Sequence, residues 1–307
     1  MTKEKHSKLT LGPLFFNWEA EKRRDFYFRM ADEAPIDEVY LGEVVCSKRE
    51  PFFEPFLDEV INRFKAAKKK IIFSSLAIIT LPRERAALEE KTKGSFLIEA
   101  NDVAAVQLLQ DKPFIIGPYI TILNEGALGY LAKQGAKRIV FAAEVAGKDM
   151  ISLAAQFPKM ETEVQVFGKQ PLAISMRCSH ARAYGRDKDH CRKACSRDED
   201  GLIVQTLDKE DLWAISGTQT LSAGTLLLAE EALALQTSKI THFRLSPQDM
   251  DMVQISRLYR DLLDARITPD SLRSTLKDMD KSTSFINGFF HGKEGRFFVP
   301  SSKQEAI

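Results

Sequence analysis

Short apolar runs alternate along the first half of the chain with longer stretches whose apolar residues recur at helical spacing. Seven of these runs predict strands, and an amphipathic stretch follows each of the first six. The pattern therefore predicts repeated strand–helix units. The predicted strands are 9–17, 37–46, 71–79, 95–101, 113–122, 137–144 and 161–168. The predicted helices between them are 18–34, 55–70, 83–93, 102–112, 124–136 and 148–158.

These strands are too apolar for a sheet with one face in water, and they favour a parallel sheet covered by helices. An open doubly wound sheet and a (β/α)8 barrel both fit that description. An open sheet usually carries a glycine-rich phosphate loop after its first strand, whereas "WEAEKRR" (18–24) follows here. The missing loop and the number of strands predict an α/β fold of the (β/α)8 TIM-barrel-like type.

The second half of the chain still looks rich in strands, and a helix is predicted over 248–265. The aromatic segment from 285 onward is expected to pack across the barrel mouth. No low-complexity linker divides the chain, so we expect one domain. The predicted parts are a flexible N-terminal tail over 1–8 and a single barrel-like domain over 9–307, which carries a polar loop at 176–201 and a helical C-terminal segment from about 248.

Charge and hydropathy argue against several classes of function. Basic and acidic residues number 44 and 43, so the net charge of +1 gives no footprint for nucleic acid or an anionic membrane. The charged N-terminus has no long apolar run of the signal-peptide kind, and the most apolar segment, 71–81, is too short to cross a bilayer. We therefore predict a cytoplasmic protein without a transmembrane segment, in a compartment where disulfides are rare.

The chain has only four cysteines, and three of them lie in the polar loop "MRCSHARAYGRDKDHCRKACSRDEDG" (176–201) with C-x12-C-x3-C spacing. The loop is too polar to bury Cys178, Cys191 and Cys195 as ordinary small hydrophobes. A helix through Cys191 and Cys195 would place the two thiols one turn apart. Cys46, which on its own could equally be a buried core residue, ends the second predicted strand. All four therefore fall at the C-terminal face of the predicted barrel, where barrel chemistry is found.

Four thiolates can bind a structural zinc ion or an iron–sulfur cluster. Zinc sites usually draw their ligands from two short C-x2-4-C pairs, so the observed spacing favours a [4Fe–4S] cluster. His180 and His190 are further possible ligands, although a solvated loop histidine is the commoner case. Basic neighbours would favour the thiolate form that binds metal. They are Arg177, Arg182, Arg192 and Lys193.

Glu43, Glu99 and Glu144 lie in or at the ends of predicted strands, where a barrel enzyme could place a catalytic acid. Each could equally be an ion-pair partner of a nearby lysine or arginine. The sequence contains no HExxH zinc motif and no recognisable Ser–His–Asp arrangement. We therefore assign no catalytic residue from the sequence.

Three stretches together resemble the collagenase-like peptidase family: "LGEVVCSKR", "EVQVFGKQPLAIS" and "RCSHARAYGRDKDHCRKACSRDEDG". The likeness runs from about Leu9 to Ser246 and is strongest to the branch of anaerobic ubiquinone biosynthesis. That branch implies a cytoplasmic [4Fe–4S] protein that forms a heterodimer with a UbiU-like protein and serves the oxygen-independent hydroxylation of ubiquinone precursors. The resemblance implies that the cluster ligands are Cys46, Cys178, Cys191 and Cys195.

The family signature of a glutamate and a glycine followed by several cysteines on the seventh strand is reduced here to Glu163, Phe167 and Gly168. Peptidase activity is therefore not expected. Two alternatives stay open: a scaffold subunit stabilised by zinc or a cluster without redox chemistry, and a peptidase or RNA-hydroxylation relative. The balanced charge and the lack of an aromatic–basic patch argue against RNA.

Overall fold

The protein folds as a closed barrel of eight parallel strands surrounded by helices. The computed structural model describes residues 7–300, so positions 1–6 of the predicted N-terminal tail lie outside the described residues. Strand β1 (Lys8–Leu11) pairs with β2 (Glu38–Leu41) on one side and with β13 (His242–Leu245) on the other. Strand β13 also pairs with β7 (Glu161–Gly168), which closes the sheet. The predicted TIM-barrel-like α/β fold is therefore confirmed.

All seven predicted strands are present, although most are shorter than predicted. The other strands are β3 (Lys70–Ser74), β4 (Leu97–Ala100), β5 (Phe114–Ile116), β6 (Ala136–Val140), β8 (Pro171–Ile174), β9 (Leu202–Gln205), β10 (Asp211–Ser216), β11 (Gln219–Ser222), β12 (Thr225–Leu227) and β14 (Phe285–Ile286).

The helices on the outside of the barrel follow the predicted order. Three of the described helices, Ser179–Ala183, Glu230–Thr237 and Pro269–Met279, were not predicted separately. The helices are α1 (Ala20–Asp32), α2 (Glu50–Ala66), α3 (Pro82–Lys91), α4 (Val103–Leu108), α5 (Glu125–Lys133), α6 (Gly147–Gln156), α7 (Ser179–Ala183), α8 (Glu230–Thr237), α9 (Met252–Leu263) and α10 (Pro269–Met279), with 3-10 turns at Ser47–Arg49 and Ala194–Arg197.

A second, antiparallel sheet is inserted between β7 and β13. Its strand order is β8-β11-β10-β9, and the polar cysteine loop connects β8 to β9. Apolar side chains from this sheet pack against the loops that follow β1 and β2. Members of that cluster are Leu14, Phe15, Phe16, Trp18, Val44, Val45, Ala77, Ala214 and Leu221. The sequence predicted β structure in this part of the chain, but it did not predict a separate sheet.

Alternate side chains of each barrel strand point inward and outward, as the two-residue period of a strand requires. Leu9 and Leu11 belong to the main apolar core, whereas Thr10 between them bonds to a carboxylate inside the barrel. On β2, Val39 likewise joins the core and Tyr40 joins the interior set. The strands are thus apolar on the face toward the helices and partly polar inside.

Glu163 on β7 is the centre of a buried ion-pair network in that interior. Its Oε1 accepts from Nε of Arg244 at 2.7 Å and from the Thr10 hydroxyl at 2.7 Å. Its Oε2 accepts from Nη1 of Arg138 at 3.0 Å and from the Tyr40 hydroxyl. Burial alone would raise the pKa of Glu163, but Arg244 and Arg138 hold that pKa at about 2. The carboxylate therefore stays charged over the whole physiological pH range.

The C-terminal segment packs at the barrel mouth, as the sequence predicted. The carbonyl of Phe290 accepts a hydrogen bond of 2.8 Å from the N–H of Gly147, at the start of α6. A side chain at position 147 would place its Cβ 2.3 Å from the Phe290 ring, so only glycine fits there.

Among the described residues, no helix is both long and apolar enough to span a membrane.

We predict that Glu163→Gln destabilises the fold by about 3–5 kcal/mol, because it leaves two buried arginines without their shared carboxylate. The measurement is urea unfolding at neutral pH. The exposed Glu89→Gln serves as the matched control and should change stability by less than about 0.5 kcal/mol.

The same variant tests the pH dependence. A carboxyl group whose folded pKa lies below its ordinary value of 4.5 stabilises the protein above that value, and this contribution is lost as pH falls toward the folded pKa of about 2. Wild type should therefore lose stability between those limits, and Glu163→Gln should lose less. Equal slopes in the two proteins would contradict the assignment.

Candidate functional site

The four cysteines line one cavity, although Cys46 and the other three lie far apart in the chain. Cys46 follows β2, and Cys178, Cys191 and Cys195 come from the loop between β8 and β9. All four thiols are free rather than disulfide-bonded. The structure therefore brings together the four cysteines that the sequence analysis named as ligands, at the C-terminal face of the barrel.

Glu43 positions Cys46 through the backbone. Its Oε1 accepts from the N–H groups of Val45 and Cys46 at 3.0 Å and 3.1 Å. Gly42, just before it, has a φ of 107°, and a Cβ there would lie 2.6 Å from the carbonyl oxygen of Ser74. The turn after β2 thus depends on a glycine and a buried carboxylate, and it directs Cys46 toward the cavity.

The three loop cysteines are placed by short turns. Sγ of Cys178 accepts from the N–H of Ala181 at 3.3 Å, so this thiol caps helix α7. Cys195 lies in the 3-10 turn at Ala194–Arg197, whereas Cys191 precedes it. Arg192 and Lys193 between them have left-handed φ values of 45° and 53°. The expectation of one helix through Cys191 and Cys195 was therefore wrong, because this backbone conformation interrupts it.

Arg49 joins the cavity to the barrel. It is 4% exposed and lies among the residues that line the cavity. Its Nη1 donates to the carbonyl of Phe15, after β1, at 2.9 Å, and its Nη2 donates to Oγ of Ser216 at 3.2 Å. A side chain on Gly217 would place its Cβ 2.6 Å from Nη2 of Arg49, at a φ of +67°. The guanidinium is therefore held between the barrel and the inserted sheet.

The cavity combines buried thiols with nearby positive charge, and the two act in opposite directions on the thiols. Burial alone would lower the pKa of Arg49, but the neighbouring Cys195 and Glu43 raise it above its ordinary value. Burial raises the pKa of the Cys46 and Cys178 thiols, and the charge of Arg49 partly offsets that effect. Three lysines join Arg49 around the four thiols. They are Lys48, Lys188 and Lys193.

The two candidate histidine ligands do not line this cavity. The ring nitrogens of buried His180 lie 3.0 Å from the carbonyl oxygen of Ile215 and 2.7 Å from Oδ2 of Asp198. Both nitrogens are therefore engaged in structural bonds. His190 is exposed and lies 3.1 Å from the carboxylate of Asp187.

Two of the three candidate glutamates are ion-pair partners in the structure. Glu43 lies 3.9 Å from Arg49, which is one of the partners considered from the sequence. Glu99 is fully buried and accepts from Arg244 at 2.7 Å. Glu144 is exposed and accepts from the Thr121 hydroxyl at 3.1 Å. None of the three lines the cysteine cavity.

The residue types around the cavity are those of a metal centre with sulfur ligands, because four thiols line it beside a buried cation. Within residues 7–300, no group of three or more Cys, His, Asp or Glu side chains is arranged to hold a metal ion. Sequence reasoning did not place Arg49 or Gly217 at this cavity. The position of Arg49, three residues after Cys46, was the only local signal, since its partners come from distant parts of the chain.

The fold and the site together define a (β/α)8-barrel protein with a four-cysteine cavity between the barrel and an inserted antiparallel sheet. The model of Peptidase family U32 matches residues 26–297, and the chain belongs to that family. The family-level resemblance seen in the sequence is thereby confirmed.

Two solved structures align with most of this chain at low sequence identity. An N-acetylneuraminate lyase from Mycoplasma synoviae is 10% identical, with a TM-score of 0.47, over 89% of this chain and 81% of that chain. A tryptophan synthase complex from Pyrococcus furiosus is 9% identical, with a TM-score of 0.40, over 90% of this chain and 98% of that chain. Neither similarity bears on the activity of this chain.

We predict that Arg49→Met lowers the free energy of unfolding by about 3 kcal/mol, because it removes one of the two buried arginines that lie 3.9 Å from the buried Glu43 carboxylate, the other being Arg23. Arg49→Lys, which keeps the charge but loses the fork of donors, should cost less. Urea unfolding of the reduced, metal-free protein measures both variants. If Arg49→Met were as stable as wild type, Arg49 would not hold the inserted sheet on the barrel.

Proposed function

We propose that this chain holds a [4Fe–4S] cluster through Cys46, Cys178, Cys191 and Cys195. The observation that carries the proposal is the single cavity that all four thiols line. A cubane cluster takes one thiolate for each iron, which suits four thiols distributed around a cavity. The four surrounding cations would offset the negative charge that four thiolates bring.

Such a cluster supplies one-electron transfer, with a potential set by its ligands, its hydrogen bonds and its exposure. The chain's own residues provide the environment. Arg49 supplies a buried positive charge beside the sulfur ligands, and Glu43 fixes the backbone at Cys46. The inserted sheet is held against the barrel loops beside the cavity, because Ser216 and Thr218 bond to the carbonyls of Phe15 and Val45 at 2.8 Å each.

We further propose that the protein is a UbiV-like subunit that acts with a UbiU-like partner in the oxygen-independent hydroxylation of ubiquinone precursors. The support is the resemblance of the three cysteine-bearing and strand-seven stretches to that branch of the family. A peptidase role has less support, because the histidines of residues 7–300 bond to carboxylates, a carbonyl or a threonine rather than to a serine or cysteine nucleophile. The bonds in question are those of His180, His190, His242 and His291.

A scaffold role is the second candidate. The cysteine cavity lies where the inserted sheet meets the barrel, so a bound zinc ion or cluster there could join the two parts without redox chemistry. This alternative makes the same prediction about the ligands but a different one about the metal and its redox behaviour.

We predict that protein purified without oxygen is brown and contains about four iron and four sulfide per chain, with visible absorbance that bleaches on reduction. Cys46→Ala should lose as much iron as Cys191→Ala. Met176→Ala, an exposed change in the same loop, should keep the full iron content. A colourless protein with one zinc would support the scaffold role, and a Cys46→Ala protein with wild-type iron would remove Cys46 from the ligand set.

We predict that cells lacking this protein make no ubiquinone during anaerobic growth and make normal amounts in air. Complementation with wild type or with Met176→Ala should restore anaerobic ubiquinone, whereas Cys46→Ala should not. Quinone extraction and chromatography measure the result. Unchanged anaerobic ubiquinone in the deletion strain would exclude the UbiV-like role and leave the cluster proposal standing.

A further inference from the structure

A cavity of about 720 Å³ lies between the inserted sheet and the C-terminal segment, apart from the cysteine cavity. Its walls come from the residues just after β7, from β10 and β12, and from the stretch 280–296. It shares no lining residue with the cysteine cavity among those described. Small-molecule sites usually have volumes of about 300–1,000 Å³, so this cavity is large enough for a ligand.

The inner wall of this cavity is built from buried polar side chains. Lysine, amide and hydroxyl groups contribute to it, and each of the five residues is 7% exposed or less. They are Lys169, Gln170, Ser222, Thr225 and Gln248. A cavity that forms only because surface loops meet would be lined by exposed side chains, whereas this wall belongs to the interior.

Two amides in the inner wall have hydrogen-bonding groups that the protein does not use. Gln170 bonds through its backbone, whose N–H donates to Oγ of Ser222 at 2.9 Å, but its side-chain amide bonds to no residue within 7–300. Oε1 of Gln248 accepts from the Thr225 hydroxyl at 3.4 Å, while its Nε2 donates to none of the described residues. Proteins satisfy nearly all of their buried amides, so two free ones in one wall point to a ligand.

The charges around the cavity decide which class of ligand fits. The inner wall contains the Lys169 ammonium, which donates to the carbonyl of Ala223. Five carboxylates line the more exposed part beside a single arginine, Arg296. The carboxylates are those of Asp200, Asp211, Asp249, Asp280 and Glu294. An anion would be repelled by these carboxylates and a cation by Lys169, so a neutral polar molecule fits best.

An aromatic surface lies beside the polar groups. Trp213 is 43% exposed although it belongs to β10, and it lines the cavity together with Phe289. An indole ring has a broad apolar face that packs against other flat or ring-shaped groups. Sugar rings present C–H groups on their faces and hydroxyls around their edges. They therefore match a cavity that has an aromatic surface together with amide and hydroxyl groups.

We infer that this cavity binds a neutral sugar, whose hydroxyls bond to the amides of Gln170 and Gln248 and whose ring packs on Trp213. Sugar hydroxyls both donate and accept hydrogen bonds, as do the amide and hydroxyl side chains of the inner wall. The inference goes beyond the proposed function and does not depend on it, since the cavity contains none of the four cysteines.

The test titrates the full-length protein with glucose, galactose, mannose, N-acetylglucosamine and maltose in turn, by isothermal titration calorimetry. At least one of these sugars should bind. Putrescine and succinate, a small cation and a small anion, should bind at least about ten-fold more weakly than that sugar. If no sugar binds at concentrations up to about 10 mM, or if putrescine or succinate binds more tightly than every sugar, the inference is wrong.

Tryptophan fluorescence locates the bound sugar. The chain has two tryptophans, of which Trp18 is 6% exposed and Trp213 is 43% exposed. A ring that packs on Trp213 shields it from water, so the emission should shift to shorter wavelength as the sugar binds. Binding by calorimetry without any change in emission would place the sugar elsewhere and overturn the inference.

Two variants test the contacts. Gln170→Leu removes an amide that bonds to no described residue, so it should keep the stability of the wild type while the dissociation constant for the sugar rises about five-fold. Trp213→Ala should weaken binding by a similar factor through loss of the ring. Leu207→Ala, a fully exposed change between β9 and β10, is the control and should bind like wild type. Wild-type affinity in either Gln170→Leu or Trp213→Ala would contradict the proposed site.

Cys46→Ala separates this inference from the proposed function. The variant should lose iron and still bind the sugar with the wild-type dissociation constant, because Cys46 does not line the sugar cavity. Gln170→Leu should conversely keep its iron. Failure of the cluster proposal would therefore leave the sugar site standing, and failure of sugar binding would leave the cluster proposal standing.

Discussion

The carboxylate of Glu163, held between Arg138 and Arg244, is the interaction on which the barrel depends most. These three residues come from β7, β6 and β13, and the Thr10 and Tyr40 hydroxyls on β1 and β2 complete the bonding of the carboxylate. A buried charge is tolerated only when it is paired and hydrogen-bonded. Closure of the barrel satisfies this condition, because it brings β13 beside both β1 and β7. A barrel opened at β13 would leave two carboxylates, Glu99 and Glu163, without Arg244.

A second buried arginine, Arg49, fixes the cysteine cavity to the same barrel. Arg244 uses two of its nitrogens inside the barrel, on the carboxylates of Glu163 and Glu99. The carbonyl of Phe15, in the loop after β1, accepts from Arg49, which lies beside the thiols. Arg244 and Arg49 are therefore each held by buried partners. Arg244 is fixed inside the barrel, and Arg49 is fixed at the end where the strands open. Sites built on such a rigid frame keep their geometry better than sites built on loops alone.

Sequence reasoning worked where the signal was local and periodic. The βα alternation predicted seven barrel strands, and the helical spacing over 248–265 predicted α9. Cys46 lies at the C-terminal face of the barrel, as predicted, even though β2 ends at Leu41 rather than at Cys46. The reason is that the loops after all barrel strands begin at the same end of the barrel. The inserted sheet and the Glu163 network were missed, since both depend on pairings between distant segments. The turn at Arg192 and Lys193 was missed because lysine and arginine rarely adopt a left-handed backbone.

The contacts that attach the inserted sheet to the barrel help to decide whether the four cysteines have a structural or a chemical role. A metal that serves only to join two parts is needed most where the parts have little else between them, as in small domains that cannot build a core. Here Leu14, Phe16 and Leu221 are fully or almost fully buried in one apolar cluster between the sheet and the barrel loops. Hydrogen bonds from Ser216 and Thr218 to barrel-loop carbonyls add to that contact. Because the sheet is already attached by protein contacts, a cavity of four thiols beside a buried arginine is better explained by chemistry than by attachment.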